Sequence, residues 1–518
     1  MTGQTKRILS LSGIFLIVLT LPYVYAALAG GEDFVFGGFL FNPLDGNSYL
    51  AKMYQGWRGD WLFNLPYTAE PGEGVFLFVF YLGLGHLARL LGLSLPVAFH
   101  LARLAGAVCL LIVLYHFYRA ELGQAGNFAF ILALFGAGLG WLATFLGLFT
   151  ADFWVAEAYP FLSAYANPHF PIALAMMLAM LTDASTEKRL SGWSRLLIFG
   201  SGGFLLALIL PFGIILVLLI LAGLYFWQAT DQLSQGAGFQ AFYPLPEPAR
   251  RGLALALGGL PVLIYYLWVV TTHTQLAVWN VQNLTLSPPW WDVLLSFSPA
   301  LIFALLGAWF AWRERDLKLR VSIVWLVIGL VMLVLPVGLQ RRFLLGYYVP
   351  LVALAAFAVE KISIENPRRK WVLTTALILI SIPTNILILF TALFGVQTHE
   401  DQIYLRRNEQ QGLAWIQDYT DPDALILAAP ESGLFIPAHT GRRVLYGHPF
   451  ETVEAERREK EVEAFFKGEL TLEDLDATPP VDFIFRGPRE TVLGNVPVQQ
   501  NWSVAWETEG LTIYRVHR

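Results

Sequence analysis

The sequence predicts a polytopic, mainly α-helical membrane protein with a small soluble α/β domain at its C-terminal end. Three observations predict it. Hydrophobic residues fill 56% of the 518 positions and charged residues only 14%, with a mean hydropathy of +0.55, too apolar for a soluble chain of this length. Apolar runs of membrane-spanning length recur from residue 9 to residue 394. From residue 396 the composition turns charged and loop-rich and stays so to the end.

The first run, "KRILSLSGIFLIVLTLPYVYAALAG", has the basic start and small-residue end of a signal peptide. Its apolar stretch is long enough to cross the hydrocarbon core, so it reads as a retained anchor, with Lys6 and Arg7 setting the N-terminus in the cytoplasm. Taken with this span at 9–28, runs near 96–118, 127–148, 169–183, 194–210, 212–228, 252–272, 296–312, 321–338, 344–360 and 371–394 make about eleven crossings. An odd number puts the termini on opposite sides.

Charge supports the alternation. "TEKRLSGWSR" (186–195), "ARRG" (249–252), "WRERDLKLR" (312–320) and "NPRRKW" (366–371) all fall on the N-terminal side, as cytoplasmic loops should. On the other side, Glu32, Asp33, Asp45, Asp60, Glu70 and Glu73 outnumber Lys52 and Arg58 in the first loop. The count holds only if 75–93 lies in the interface instead of spanning, which the interruptions at His86 and Arg89 and the glycines Gly83 and Gly85 favour. The chain therefore divides into a membrane domain, 1–395, with a long first extracytoplasmic loop at 29–95, and an extracytoplasmic domain, 396–518. In the latter, "DALILAAPE" and "RRVLYG" read as buried strands, "EAERREKEVEAFFKG" as an amphipathic helix and "VAWETEGLTIYRV" as a terminal hairpin.

Composition also excludes functions. A net charge of −5 without a basic cluster gives no footprint for nucleic acid. The single cysteine, Cys109, permits no intrachain disulfide or cysteine metal cluster and reads as core packing.

The stretch "NPLDGNSYLAKMYQG" (42–56) carries the most chemistry. Leu50, Met53, Tyr54 and Trp57 recur on one face of a short helix, with Ser48, Lys52 and Gln55 on a polar side, so the helix should lie on the membrane surface. That holds Asp45 at the water–lipid boundary, where it reads either as a helix cap or as a functional acid.

A first span, then an acid opening an interfacial helix of the "LDGNSYLAKMYQG" kind, then "GDWL", a second interfacial helix, many spans and a C-terminal domain resembles the GT-C membrane glycosyltransferases. Within them the chain is most similar to the protein O-mannosyltransferase and aminoarabinose-transferase branch. The resemblance implies transfer of a sugar from a polyprenyl-phosphate donor to an extracytoplasmic acceptor, with Asp45 as general base. Family members often carry a second acid directly after the first, where this sequence has Gly46, which leaves one carboxylate and gives no sign of a metal or other cofactor. One carboxylate suffices to accept the proton of an attacking hydroxyl, and a single displacement inverts the anomeric centre.

The leaving phosphate calls for fixed positive charge. "VGLQRRFLLGYYVP" offers Arg341 and Arg342 in a turn on the expected extracytoplasmic side, against the usual charge trend; a snorkelling interfacial pair is the alternative. Asp152, Glu157 and His169 in 151–171 are further substrate-binding candidates, as is Glu70, each weighed against a solvated loop charge or, for His169, a satisfied interfacial histidine. Trp290 and Trp291 read as interfacial anchors. Two other classes compete: a lipid or solute transporter, with "ILPFGII" (209–215) as a broken helix, and a non-catalytic receptor in which Asp45 only caps.

Overall fold

The computed structural model describes residues 3–182, 184, 191–236, 238, 242, 245–316 and 318–517. Residues 186–190 of the first predicted basic loop lie outside them. The chain forms two compact units: residues 1–19, 102–264 and 285–391, and residues 20–101, 265–284 and 392–518.

The chain is mainly helical. Among the described residues six helices are long and apolar enough to cross a membrane: α1 (Gly3–Ala29), the stretch Leu95–Leu146 that begins with α4 (Leu95–Leu122), Gly192–Ile209, Pro211–Ser234, Glu247–Thr272 and Pro367–Gln397. The pair Trp290–Phe297 and Ala300–Glu314, bent by 83°, makes a seventh if taken as one span. The expected count of about eleven is therefore not reached on length and composition. His169–Leu181 and Arg320–Val334 are apolar but short, and the predicted runs 96–118 and 127–148 fall in one helical stretch. Helix breaks and bends shorten segments whose apolar runs read as spans.

In the first unit, close helix packing rests on small residues. Ala300, Ala304, Gly307 and Ala311 line the buried face of Ala300–Glu314, and a Cβ on Gly307 would lie 2.0 Å from the Leu354 carbonyl oxygen of the neighbouring helix Tyr348–Ile362. The predicted cytoplasmic charges find one another. Glu247 takes Arg195 at 3.2 Å, Arg250 at 3.4 Å and Arg251 at 2.9 Å, while Asp231 pairs with Arg320, Glu314 with Lys361 and Glu360 with Lys370. Loops assigned to one side by charge thus share ion pairs. Cys109 is exposed on its helix, not packed in a core; the apolar run around it is a helix whose outer face is also apolar.

The second unit is built on a sheet. Strands β1 (Phe34–Phe36) and β2 (Tyr404–Arg406) pair antiparallel, with Val35 opposite Leu405. Strands β3 (Leu425–Leu427), β4 (Arg443–Val444), β5 (Phe483–Arg486), β6 (Trp502–Thr508) and β7 (Leu511–Val516) form a five-stranded mixed sheet in the order β4-β3-β5-β7-β6. Here β3 runs parallel to β4 and β5, and the hairpin β6–β7 closes the antiparallel edge. Strands β3 and β4, the β6–β7 hairpin and the helix Ala455–Phe466 fall where the sequence placed them, and β5 is a strand it did not indicate. Ile426, Phe483, Phe485 and Ile513 bury one side of the sheet, and Leu427, Ile484, Phe465 and Tyr514 the other.

Two helices of the first loop belong to the same unit. Helix α2 (Pro43–Arg58) and α3 (Val79–Leu91) pack backbone to backbone: a Cβ on Gly85 would sit 1.9 Å from the Met53 carbonyl oxygen, and one on Gly56 2.0 Å from that of Leu82. Gly85, read from sequence as a weak point of the helix, is the residue that lets the two meet. At 13 residues α3 is about 20 Å long, short of the ~30 Å hydrocarbon core.

Candidate functional site

In the second unit the site starts at the first turn of α2. Asn42 adopts the left-handed conformation (φ 46°, ψ 66°) that asparagine tolerates, and Pro43 opens the helix with its preset φ. The Asn42 Oδ1 accepts the Asp45 N–H at 3.3 Å, so the cap is Asn42 and not Asp45. Asn42 Nδ2 donates to Asp45 Oδ2 at 2.6 Å. Among the described residues Asp45 Oδ1 has no hydrogen-bond donor, and the side chain is half-buried beside the positive end of the helix. Gly46 is required by packing. A Cβ there would fall 2.3 Å from the ring of Phe39, which is 2% exposed, so there is no room for a second carboxylate.

The polar side of α2 is not solvated, contrary to expectation. Ser48, Lys52 and Gln55 are all buried. Lys52, 1% exposed, pairs with Glu451 at 2.8 Å and lies 4.3 Å from the centroid of the Phe78 ring. Ser48 Oγ donates to the same Glu451 oxygen at 3.0 Å. Burial alone would push the Glu451 carboxyl up, but Lys52 and His448 hold it below its ordinary value. Burial also lowers the His448 imidazole, against the pull of Glu451 and Asp45. Beside Leu44 lies a cavity of about 190 Å³ walled by Glu431, Phe435, Tyr446, Gly447 and Glu459. Glu70 is exposed.

In the first unit the arginine turn is a 3₁₀ segment, Gln340–Leu344, pinned by the Arg341 N–H to the Thr285 carbonyl at 3.1 Å. Arg342 Nη1 donates to Glu157 Oε1 at 3.3 Å, and Arg341 Nε lies 4.0 Å from the same oxygen. The Arg341 guanidinium sits 4.9 Å over the Trp154 ring. The two arginine side chains remain 23% and 33% exposed while Glu157 is 5% exposed, so two cations face one buried carboxylate and leave net positive charge at the surface.

Asp152, by contrast, is fully buried and occupied. Its oxygens accept from the Gly140 N–H at 3.0 Å, Thr384 Oγ1 at 3.0 Å, Thr150 Oγ1 at 2.7 Å and Ser296 Oγ at 3.3 Å. Burial raises its carboxyl, and these donors partly offset it. Asp292, unremarked in the sequence beside its tryptophans, joins this network by accepting the Ala151 N–H at 2.8 Å. His169 is 6% exposed and packs on Phe170, ring centroids 4.0 Å apart. The structure brings Glu157, named from sequence as a separate candidate, against Arg341 and Arg342. Sequence reasoning missed Asn42 as the cap and Glu451 as the partner of Lys52. Among the described residues no three His, Cys, Asp or Glu side chains lie close enough to hold a metal ion.

No protein-family model and no curated protein sequence matches the chain; likeness appears at the level of the fold. The chain superposes on the oligosaccharyltransferase of Archaeoglobus fulgidus with a TM-score of 0.52 at 13% identity, over 97% of this chain and 74% of that one. It superposes on ArnT from Cupriavidus metallidurans with a TM-score of 0.50 at 13% identity, over 99% and 98%. The chain thus shares the fold of these two solved structures.

Proposed function

We propose that the protein is an integral-membrane glycosyltransferase that moves a sugar from a polyprenyl-phosphate donor to an extracytoplasmic acceptor with inversion. The acceptor hydroxyl attacks the anomeric carbon, its proton passes to Asp45, and the carbon–oxygen bond to the carrier breaks to release polyprenyl phosphate. Arg341 and Arg342 take the phosphate oxygens, for which a planar, permanently charged fork is suited. Glu157 holds both arginines in place. The observation that carries the reading is the Asp45 carboxylate: it is fixed by Asn42 through one oxygen, leaves the other open and is not spent on capping. In this reading the shorter apolar helices complete about eleven crossings, with the N-terminus cytoplasmic and residues 396–518 outside. The test is release of polyprenyl phosphate from a polyprenyl-phosphate sugar by purified protein, compared with Asp45→Asn. Removing a general base should slow release about 10²–10⁴-fold, and an Asp45→Asn variant as active as wild type would refute the assignment.

A further inference from the structure

Residues 447–454, "GHPFETVE", form a loop that is held from several directions within the second unit. Glu451 is tied to Lys52 and Ser48 of α2. Gln282 Nε2 donates to the Thr452 carbonyl at 2.6 Å and its Oε1 accepts the Glu454 N–H at 3.1 Å, while Asn283 Nδ2 donates to the Phe450 carbonyl at 2.8 Å. Gly447 passes so close to the helix Pro430–Thr440 that a Cβ on it would lie 2.3 Å from the Gly433 carbonyl oxygen.

What this clamped loop presents is His448, 1% exposed. Its Nδ1 accepts the N–H groups of Phe450 at 3.1 Å and Glu451 at 3.2 Å, which fixes the ring proton on Nε2. Nε2 is buried, faces the Leu44 carbonyl without closing a full hydrogen bond to it, and is within electrostatic reach of Asp45. Asp45, Ser48 and Lys52 follow one another at spacings of three and four, so they share one face of α2. His448 and Glu451 address that same face. The groups around the imidazole are Asp45, Lys52 and Leu44 from α2, Glu451 from its own loop, and the Tyr67 ring with centroids 5.4 Å apart.

We propose that His448 is a positioning residue for the acid at the start of α2: the clamped loop 447–454 holds its Nε2–H against the first helical turn and thereby fixes the aim of Asp45. Residues near the C-terminus would then set the rate of transfer, not only support the fold. This inference rests on Asp45 being the base.

The experiment measures kcat and donor KM for polyprenyl-phosphate sugar in wild type, His448→Phe, His448→Gln and Asp45→Asn, with thermal unfolding of each. Phenylalanine keeps the ring and removes both nitrogens; glutamine retains an amide N–H donor. The expected result is a drop in kcat of about tenfold in His448→Phe at unchanged donor KM, largely restored in His448→Gln. A wild-type kcat in folded His448→Phe, with Asp45→Asn inactive, overturns the positioning role and leaves the base assignment standing. An active Asp45→Asn overturns the base assignment itself. Should His448→Phe lose its cooperative unfolding transition, Asn283→Ala takes its place, since it frees the loop at Phe450 without touching the buried pair; a wild-type kcat there overturns the proposal.

Discussion

Replacing Lys52 by methionine removes one partner of the Lys52–Glu451 pair while nearly preserving side-chain volume. The two side chains are 1% and 11% exposed and 2.8 Å apart, so Glu451 is left buried, with Ser48 Oγ as its remaining side-chain donor among the described residues. Breaking a buried pair from one side costs about 3–5 kcal/mol, and loss of the ammonium over Phe78 adds on the order of 1 kcal/mol. For a compact unit of a few hundred residues about 2–4 °C of Tm goes with each kcal/mol, so thermal unfolding in detergent should fall by on the order of 10 °C. The double variant Lys52→Met/Glu451→Gln keeps an acceptor for Ser48 and removes the orphaned charge, and it should recover most of the loss. The pH dependence carries a sign. With its folded value depressed below 4.5, Glu451 contributes stability that is present above about pH 4.5 and lost as pH falls through that lower value. The gap between wild type and Lys52→Met should therefore narrow below pH 4.5. A single variant melting within about 1 °C of wild type, or a double variant as unstable as the single, would refute the reasoning.

Three further outcomes follow from the same geometry. Gly46→Ala drives a methyl into the Phe39 ring, itself packed edge-on against Phe99 at 5.1 Å, and should cost about 1–3 kcal/mol by chemical denaturation; Gly46→Asp should cost more, with no gain in activity. Arg341→Ala and Arg342→Ala should each raise donor KM roughly tenfold or more, and Arg342→Lys should restore it incompletely because the fork is lost. His439, which burial lowers to about 4, contributes stability that is complete above about pH 6.5 and lost as pH falls through 4; His439→Gln should flatten the stability-versus-pH curve over that window.

Much of this was legible because it is local. Apolar runs mark helices wherever they occur, and "VAWETEGLTIYRV" carries its own alternation and turn, so the β6–β7 hairpin could be read directly. Asp45 stood out because it follows the first span and opens an amphipathic helix. Two things were hidden. Helical periodicity assigned Lys52 to a solvated face, since a single helix cannot report that a loop 399 residues away supplies the counter-charge. Asp152 looked like an available loop acid, yet its four donors come from Gly140, Thr150, Ser296 and Thr384, of which only Thr150 is its near neighbour in sequence. Gly46 is the converse case: the missing second acid was visible at once, but its cause, the Phe39 ring, needed coordinates.

The most direct test of the central claim is a single-turnover assay of polyprenyl phosphate release from a polyprenyl-phosphate sugar, with a mixed acceptor pool, for wild type and Asp45→Asn at matched thermal stability. The account predicts release by wild type and a loss of at least about 100-fold in Asp45→Asn with donor binding retained. Equal release by both proteins, or neither binding nor release with a range of donor sugars, would contradict it.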